Sequence, residues 1–156
     1  MIETELTRAI RERLETIVEN LRLKSDKKDQ PDRPPTVVNG YLAPKRSNQQ
    51  SDFPYLIVRP GQGTTGSDGF TRVTVKLLVG CFSEEFDGFE YGLQVLSLIR
   101  KGLMESPTLE KRYRMELPFD WELFDDQPYP EWVLEATTQW TIATPLEIPD
   151  EGVTGL

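Results

Sequence analysis

Trp121-Glu-Leu-Phe-Asp-Asp-Gln-Pro-Tyr-Pro-Glu-Trp132 separates two strand-like runs in the last third of the chain. Its aromatic residues, paired carboxylates and prolines cannot continue either neighbouring run, because proline removes a ladder donor and Asp-Asp favours turns. On its N-terminal side Tyr113, Met115, Leu117 and Phe119 alternate with polar residues; on its C-terminal side Trp132, Leu134, Ala136, Thr138, Trp140 and Ile142 do the same. Side chains of a strand point alternately to opposite faces, so both runs read as half-buried strands joined by a substantial turn. Nothing in the turn is a nucleophile or an efficient proton shuttle at neutral pH, which makes it architecture rather than a catalytic centre.

Working outward, Asp87-Gly-Phe-Glu90 has the spacing of a capping box, and Leu93, Leu96, Ile99 and Leu103, widened by Val95 and Leu98, predict a helix from there to about Glu105. Pro107 ends it. Upstream, Phe70–Phe82 reads as a long strand with Val73, Val75, Leu77, Val79 and Cys81 on one face and Thr74, Lys76 and Leu78 on the other; Tyr55–Arg59 reads as a short one. Between them, Gly61-Gln-Gly63-Thr-Thr-Gly66 has the letters of a dinucleotide fingerprint, but that chemistry needs a helix N-terminus directly afterwards to hold the pyrophosphate. A strand follows instead, so the segment is expected to be a flexible hairpin connection.

Ile2, Leu6, Ile10, Leu14, Ile17, Val18 and Leu21 recur at spacings of three and four, predicting an amphipathic helix over residues 1–23. Residues 24–52 lose this pattern to mixed charges and prolines, and are expected to be an extended, flexible arm with at most a small hairpin around Asn39-Gly40. The whole reads as one domain of 156 residues: helix 1–23, arm 24–52, an α+β core over 53–145 and an acidic tail over 146–156. The order α, loop, β, β, α, β, β predicts an α+β fold in which two main helices lie on an antiparallel sheet of mixed order.

Composition limits the chemistry. The chain has no histidine and one cysteine, Cys81, which excludes Cys/His zinc sites, His-dependent nucleophile systems and an internal disulfide. Cys81 is expected to be inert packing. Residues 1–52 carry ten Lys/Arg against nine Asp/Glu, whereas residues 53–156 carry eight against seventeen, with no basic residue after Arg114. Such a surface does not neutralise phosphates, so no specific nucleic-acid binding is expected. No apolar run reaches the roughly 18 residues of a membrane span, and the charged N-terminal pattern has no signal-peptide core. Asp120, Glu122, Asp125 and Asp126 have the oxygen ligands a hard cation prefers, but lack neighbouring basic groups to hold a phosphoester; no metal site, cofactor or catalytic residue is therefore expected.

Three segments together resemble a known family: Phe89-Glu-Tyr-Gly-Leu-Gln-Val-Leu-Ser-Leu-Ile99 leading to Leu103, Glu116-Leu-Pro-Phe-Asp-Trp-Glu-Leu123, and Tyr129-Pro-Glu-Trp-Val133 before Trp140-Thr-Ile142. They are similar to the tail terminator (tail completion, head–tail joining) proteins of long-tailed bacteriophages and prophages, over about residues 53–145. The resemblance implies a non-enzymatic virion protein made in the host cytoplasm and placed in the tail and neck. Its subunits would form a ring, typically sixfold, that caps the tail tube protein and joins it to the head–tail connector proteins, with DNA passing an acidic lumen. Candidate contacts to a neighbouring subunit or the tube are Leu78 and Phe82, opposite the inward face of their strand, Tyr41 and Leu42 on the arm, and Phe124 and Tyr129 in the turn. The competing readings are a metal-dependent hydrolase built on the acidic loop 120–126 and a small adaptor that binds a peptide at an open sheet edge.

Overall fold

A computed structural model of the protein describes residues 2–43 and 52–143. The elements are α1 (Ile2–Val18), β1 (Thr36–Asn39), β2 (Tyr55–Thr65), β3 (Phe70–Phe82), α2 (Gly88–Glu105), β4 (Thr108–Leu109), β5 (Tyr113–Leu123) and β6 (Glu131–Ala143). They form one six-stranded sheet in the order β1-β2-β3-β6-β5-β4. The fold is α+β with a mixed sheet. β3 and β6 are its spine, paired antiparallel without interruption from Phe70↔Ala143 to Phe82↔Glu131.

Both helices pack on one face. The alternation in β3 sends Val73, Val75, Leu77, Val79 and Cys81 to that face, where β6 contributes Leu134, Ala136, Trp140 and Ile142. α1 lays Leu6, Ala9, Ile10, Leu14 and Val18 on this layer, and α2 adds Val95, Leu96, Ile99 and Leu103. Burying a Leu- or Ile-sized side chain is worth about 1.5–3 kcal/mol each, so this layer supplies most of the drive to fold. Among its polar groups, buried Thr138 donates to the Val75 carbonyl at 2.7 Å and accepts from the Trp140 indole at 2.8 Å. Gly92 lets α2 lie close, since a Cβ there would stand 2.9 Å from Leu134 Cδ2.

Several expectations need correction. The first helix ends at Val18, not near residue 23. Leu23 is instead extended and buried, exchanging two backbone hydrogen bonds with Arg33, a pairing no helical residue can make. The described part of the arm, residues 24–43, is tied to the segment leading into β2, where Arg33 donates to the carbonyls of Phe53 and Pro54, and is braced within itself by the Ser25 hydroxyl donating to Gln30. Its prolines limited the apolar burial it offers, but polar bonds to a neighbouring strand supply the order. Thr36–Asn39 is not half of a local hairpin; it pairs in parallel with β2, from Thr36↔Tyr55 to Asn39↔Val58, so the sheet is not wholly antiparallel. Residues 44–51 of the arm and the acidic tail lie outside the described residues.

The glycine-rich segment is also not the hairpin connection. β2 continues through it to Thr65 beside β3, with an irregularity between Pro60 and Gln62, and the turn is Gly66–Gly69. Gly69 sits at φ +85°, where a side chain is disfavoured. Strand β3 follows, so no helix N-terminus faces the glycines. The capping box does not form either: Asp87 precedes α2 without a side-chain hydrogen bond to it, and its carboxylate is exposed. β5 is longer than expected and bulges between Glu116 and Asp120 around Pro118, which suits an edge because proline has no donor to offer there.

Candidate interaction surface

The face of the sheet away from the helices has little apolar cover. Thr74 donates to Gln139 at 2.8 Å and Lys76 pairs with Glu135 at 3.0 Å across β3 and β6, a half-exposed polar ladder. At one corner of this face Phe53, Tyr55 and Ile57 form a small second cluster, against which Leu42, Leu78 and Phe82 pack. Gly80 makes room for Tyr55, whose ring stands 2.3 Å from where a Cβ would be. Thus Leu78, Phe82 and Leu42 are brought together, but half-buried against one another rather than presented freely. Tyr41 is 71% exposed with the Arg59 guanidinium 4.0 Å over its ring, and Arg59 also donates to the Gly40 carbonyl.

Next to that corner, the end of β3 and the start of β6 carry the molecule's most exposed aromatic group. Phe86 is 81% exposed and stacks on half-exposed Tyr129 at 5.4 Å and 24°. Tyr129 meets Trp132 edge-on at 6.0 Å, and Trp132 meets Phe89 at 6.4 Å. Exposed rings usually collapse onto a core; these are held out by hydrogen bonds. The Tyr129 hydroxyl donates to the Glu84 carbonyl at 2.6 Å, the Trp132 indole to the Ser83 carbonyl at 3.0 Å, and the Ser83 amide to the Pro130 carbonyl at 3.0 Å. Gly88 gives Trp132 its seat, for a Cβ there would fall 2.1 Å from the indole nitrogen.

Gln127 fixes the β5–β6 turn from inside. Its amide nitrogen donates to the carbonyls of Phe124 and Val133 at 2.8 and 2.9 Å, and its oxygen accepts from the Val133 amide at 2.7 Å. Phe124 is half-buried there, while Tyr129 stands at the tip of the platform. The acidic loop expected at 120–126 is split by this arrangement. Asp120 and Glu122 belong to β5, opposite Thr137 and Glu135, whereas Asp125 and Asp126 lie in the turn. Among the described residues no group of three or more Asp, Glu, Cys or His stands ready to hold a metal ion.

The carboxylates beside the aromatic rings are exposed and unpaired. Glu84, Glu85 and Asp87 flank Phe86, Asp125 and Asp126 share the turn with Tyr129, and none of the five joins an ion pair among the described residues. Lys24, Lys27 and Lys28 line one side of a cleft of about 310 Å³ with Glu84 and Glu85, without closing on them. Cys81 lies just behind, opposite Trp132 in the β3–β6 register; burial pushes its thiol up to about 12, so it is not a nucleophile. What this arrangement offers is a preorganised binding surface. Phe86 was not singled out in the sequence and Trp132 was read only as a strand residue; the signal for Phe86 was a phenylalanine inside Glu84-Glu85-Phe86-Asp87, where no core position explains it. No known family model and no curated protein sequence matches the chain.

Proposed function

We propose that the protein is a structural ring subunit, a tail terminator at the head-proximal end of a phage or phage-like tail tube. The observation that carries this reading is the one-sided sheet: both helices cover one face, and the other keeps an apolar corner at Leu78 and Phe82 that runs into the Phe86–Tyr129 platform. Aromatic residues held rigidly at a surface lose little freedom on docking, which is why they dominate interface energetics. The three segments that resemble the family lie on α2, β5 and β6, the elements that build and support the platform. Identical subunits joined head to tail close into a ring around an axial channel, and the net acidity of residues 53–156 would let a nucleic acid pass without sticking. The partners are further copies of the chain, the tail tube protein and the head-side connector. Native mass spectrometry of the purified protein and of tail assemblies tests the proposal. Ring-sized species, sixfold by expectation, should occur in at least one sample; monomer in both would overturn it.

A further inference from the structure

Three aromatic side chains, the exposed Tyr41 and Phe70 and the buried Tyr113, each meet a guanidinium. Arg59 lies 4.0 Å over Tyr41. Arg72 lies 5.9 Å from the Phe70 ring centre while its guanidinium holds Asp68 at 2.7 Å. Arg112 lies 5.3 Å from the Tyr113 ring centre and pairs with Glu5 at 3.3 Å. In the last two, ring and carboxylate share one guanidinium, the group whose flat charged plane satisfies both at once. Phe86 and Tyr129 form the same kind of site on a larger scale, two stacked rings with Glu84, Glu85 and Asp87 flanking Phe86 in the chain, and among the described residues no guanidinium lies over either ring. The elements that form it, residues 82–99 and 115–143, contain no Lys or Arg at all.

We infer that the Phe86–Tyr129 platform is a docking site for an arginine-bearing segment of a partner protein. The charge complementarity is specific in kind. An apolar partner would leave Glu84, Glu85 and Asp87 desolvated without compensation, and an anionic partner would be repelled. Lysine would gain the charge but not the stacked plane. The lysines at 24, 27 and 28 line a cleft with Glu84 and Glu85, and Asp87 is not among the residues of that cleft. Because the rings and the turn are already fixed by the bonds of Tyr129, Trp132 and Gln127, docking orders the partner's side chain alone.

The inference stands apart from the ring proposal, since it is read on the free subunit. The probe is a blocked Arg-Gly-Arg-Gly-Arg peptide titrated into the full chain, with the citrulline version as a neutral isostere, followed by amide and indole NMR shifts. Saturable shifts should concentrate on the Trp132 indole, residues 84–88 and residues 127–131, and fade with added salt. Phe86→Leu keeps apolar area but removes the ring face, and should weaken binding about two- to fivefold. Glu84→Gln/Glu85→Gln/Asp87→Asn should weaken it further and flatten the salt dependence. An unshifted Trp132 indole in the free variants shows that the platform is intact. Equal binding of the citrulline peptide, unchanged binding by Phe86→Leu, or shifts spread over the acidic surface at large would each overturn the inference.

Discussion

The two ends of the sheet handle charge in opposite ways. At the end where α1 begins and β4 turns into β5, acids and bases are matched: Arg8 with Glu12 and Glu110, Arg112 with Glu5, and Arg13 with the Ser106 carbonyl. At the end where β3 runs into α2, rings are stacked and Glu84, Glu85 and Asp87 join no ion pair among the described residues. Matched charges close a surface, because every group already has its counterpart; unmatched charges around fixed rings keep it open to a second molecule. The difference also predicts where substitutions hurt. The open end depends on steric fit beneath the rings, and the closed end on exposed pairs that are individually weak.

The sharpest way to break this contrast is Gly88→Ala. The new methyl must displace the Trp132 indole and its bond to Ser83, so a loss of about 1–3 kcal/mol is expected in urea unfolding. Unchanged stability would mean that the platform has slack. At the closed end Tyr113 is fully buried, and its hydroxyl has no hydrogen-bond partner among the described residues. Tyr113→Phe should therefore stabilise the protein by roughly 1 kcal/mol in thermal unfolding; a loss of that size would reveal a partner. The smallest effects compare the charges themselves. Arg112→Ala should cost about 0.2–1 kcal/mol, less as salt screens the pair, whereas Asp125→Asn/Asp126→Asn should cost nothing at low salt. Matching losses from the two would erase the distinction between the ends.

The sequence shows the spine of the fold and hides its margins for a physical reason. Alternation in β3 and β6 and the stripe of α2 are local patterns set by one buried face, and each is where the periodicity put it. β1 is a parallel edge whose partner lies about twenty residues on, so no local period encodes it. The glycines of β2 are poor strand formers, and only the long pairing with β3 holds them extended. Asp87 has the capping letters, but Phe86 is turned outward onto Tyr129, and the carboxylate bonds nothing in the helix. The platform was half legible: Tyr129 and Phe124 stand out in the turn, while Phe86 reaches Tyr129 only through folding, across more than forty residues of chain.

Cys81 gives the open end a clock of its own. It is the chain's single thiol, 1% exposed, aligned with Trp132, and held protonated by burial. It also lines a small cavity of about 130 Å³ with Arg22, Leu23, Lys24 and Tyr91, so an alkylating reagent reaches it when this cover beside the platform opens, and its rate of labelling counts those openings with no background from another thiol. When closing outruns alkylation that rate reports an equilibrium, and when alkylation outruns closing it reports the opening step itself. A partner that docks over the rings and the adjoining Phe82 should slow the clock, which turns an interior cysteine with no chemistry of its own into a gauge of what happens at the surface beside it.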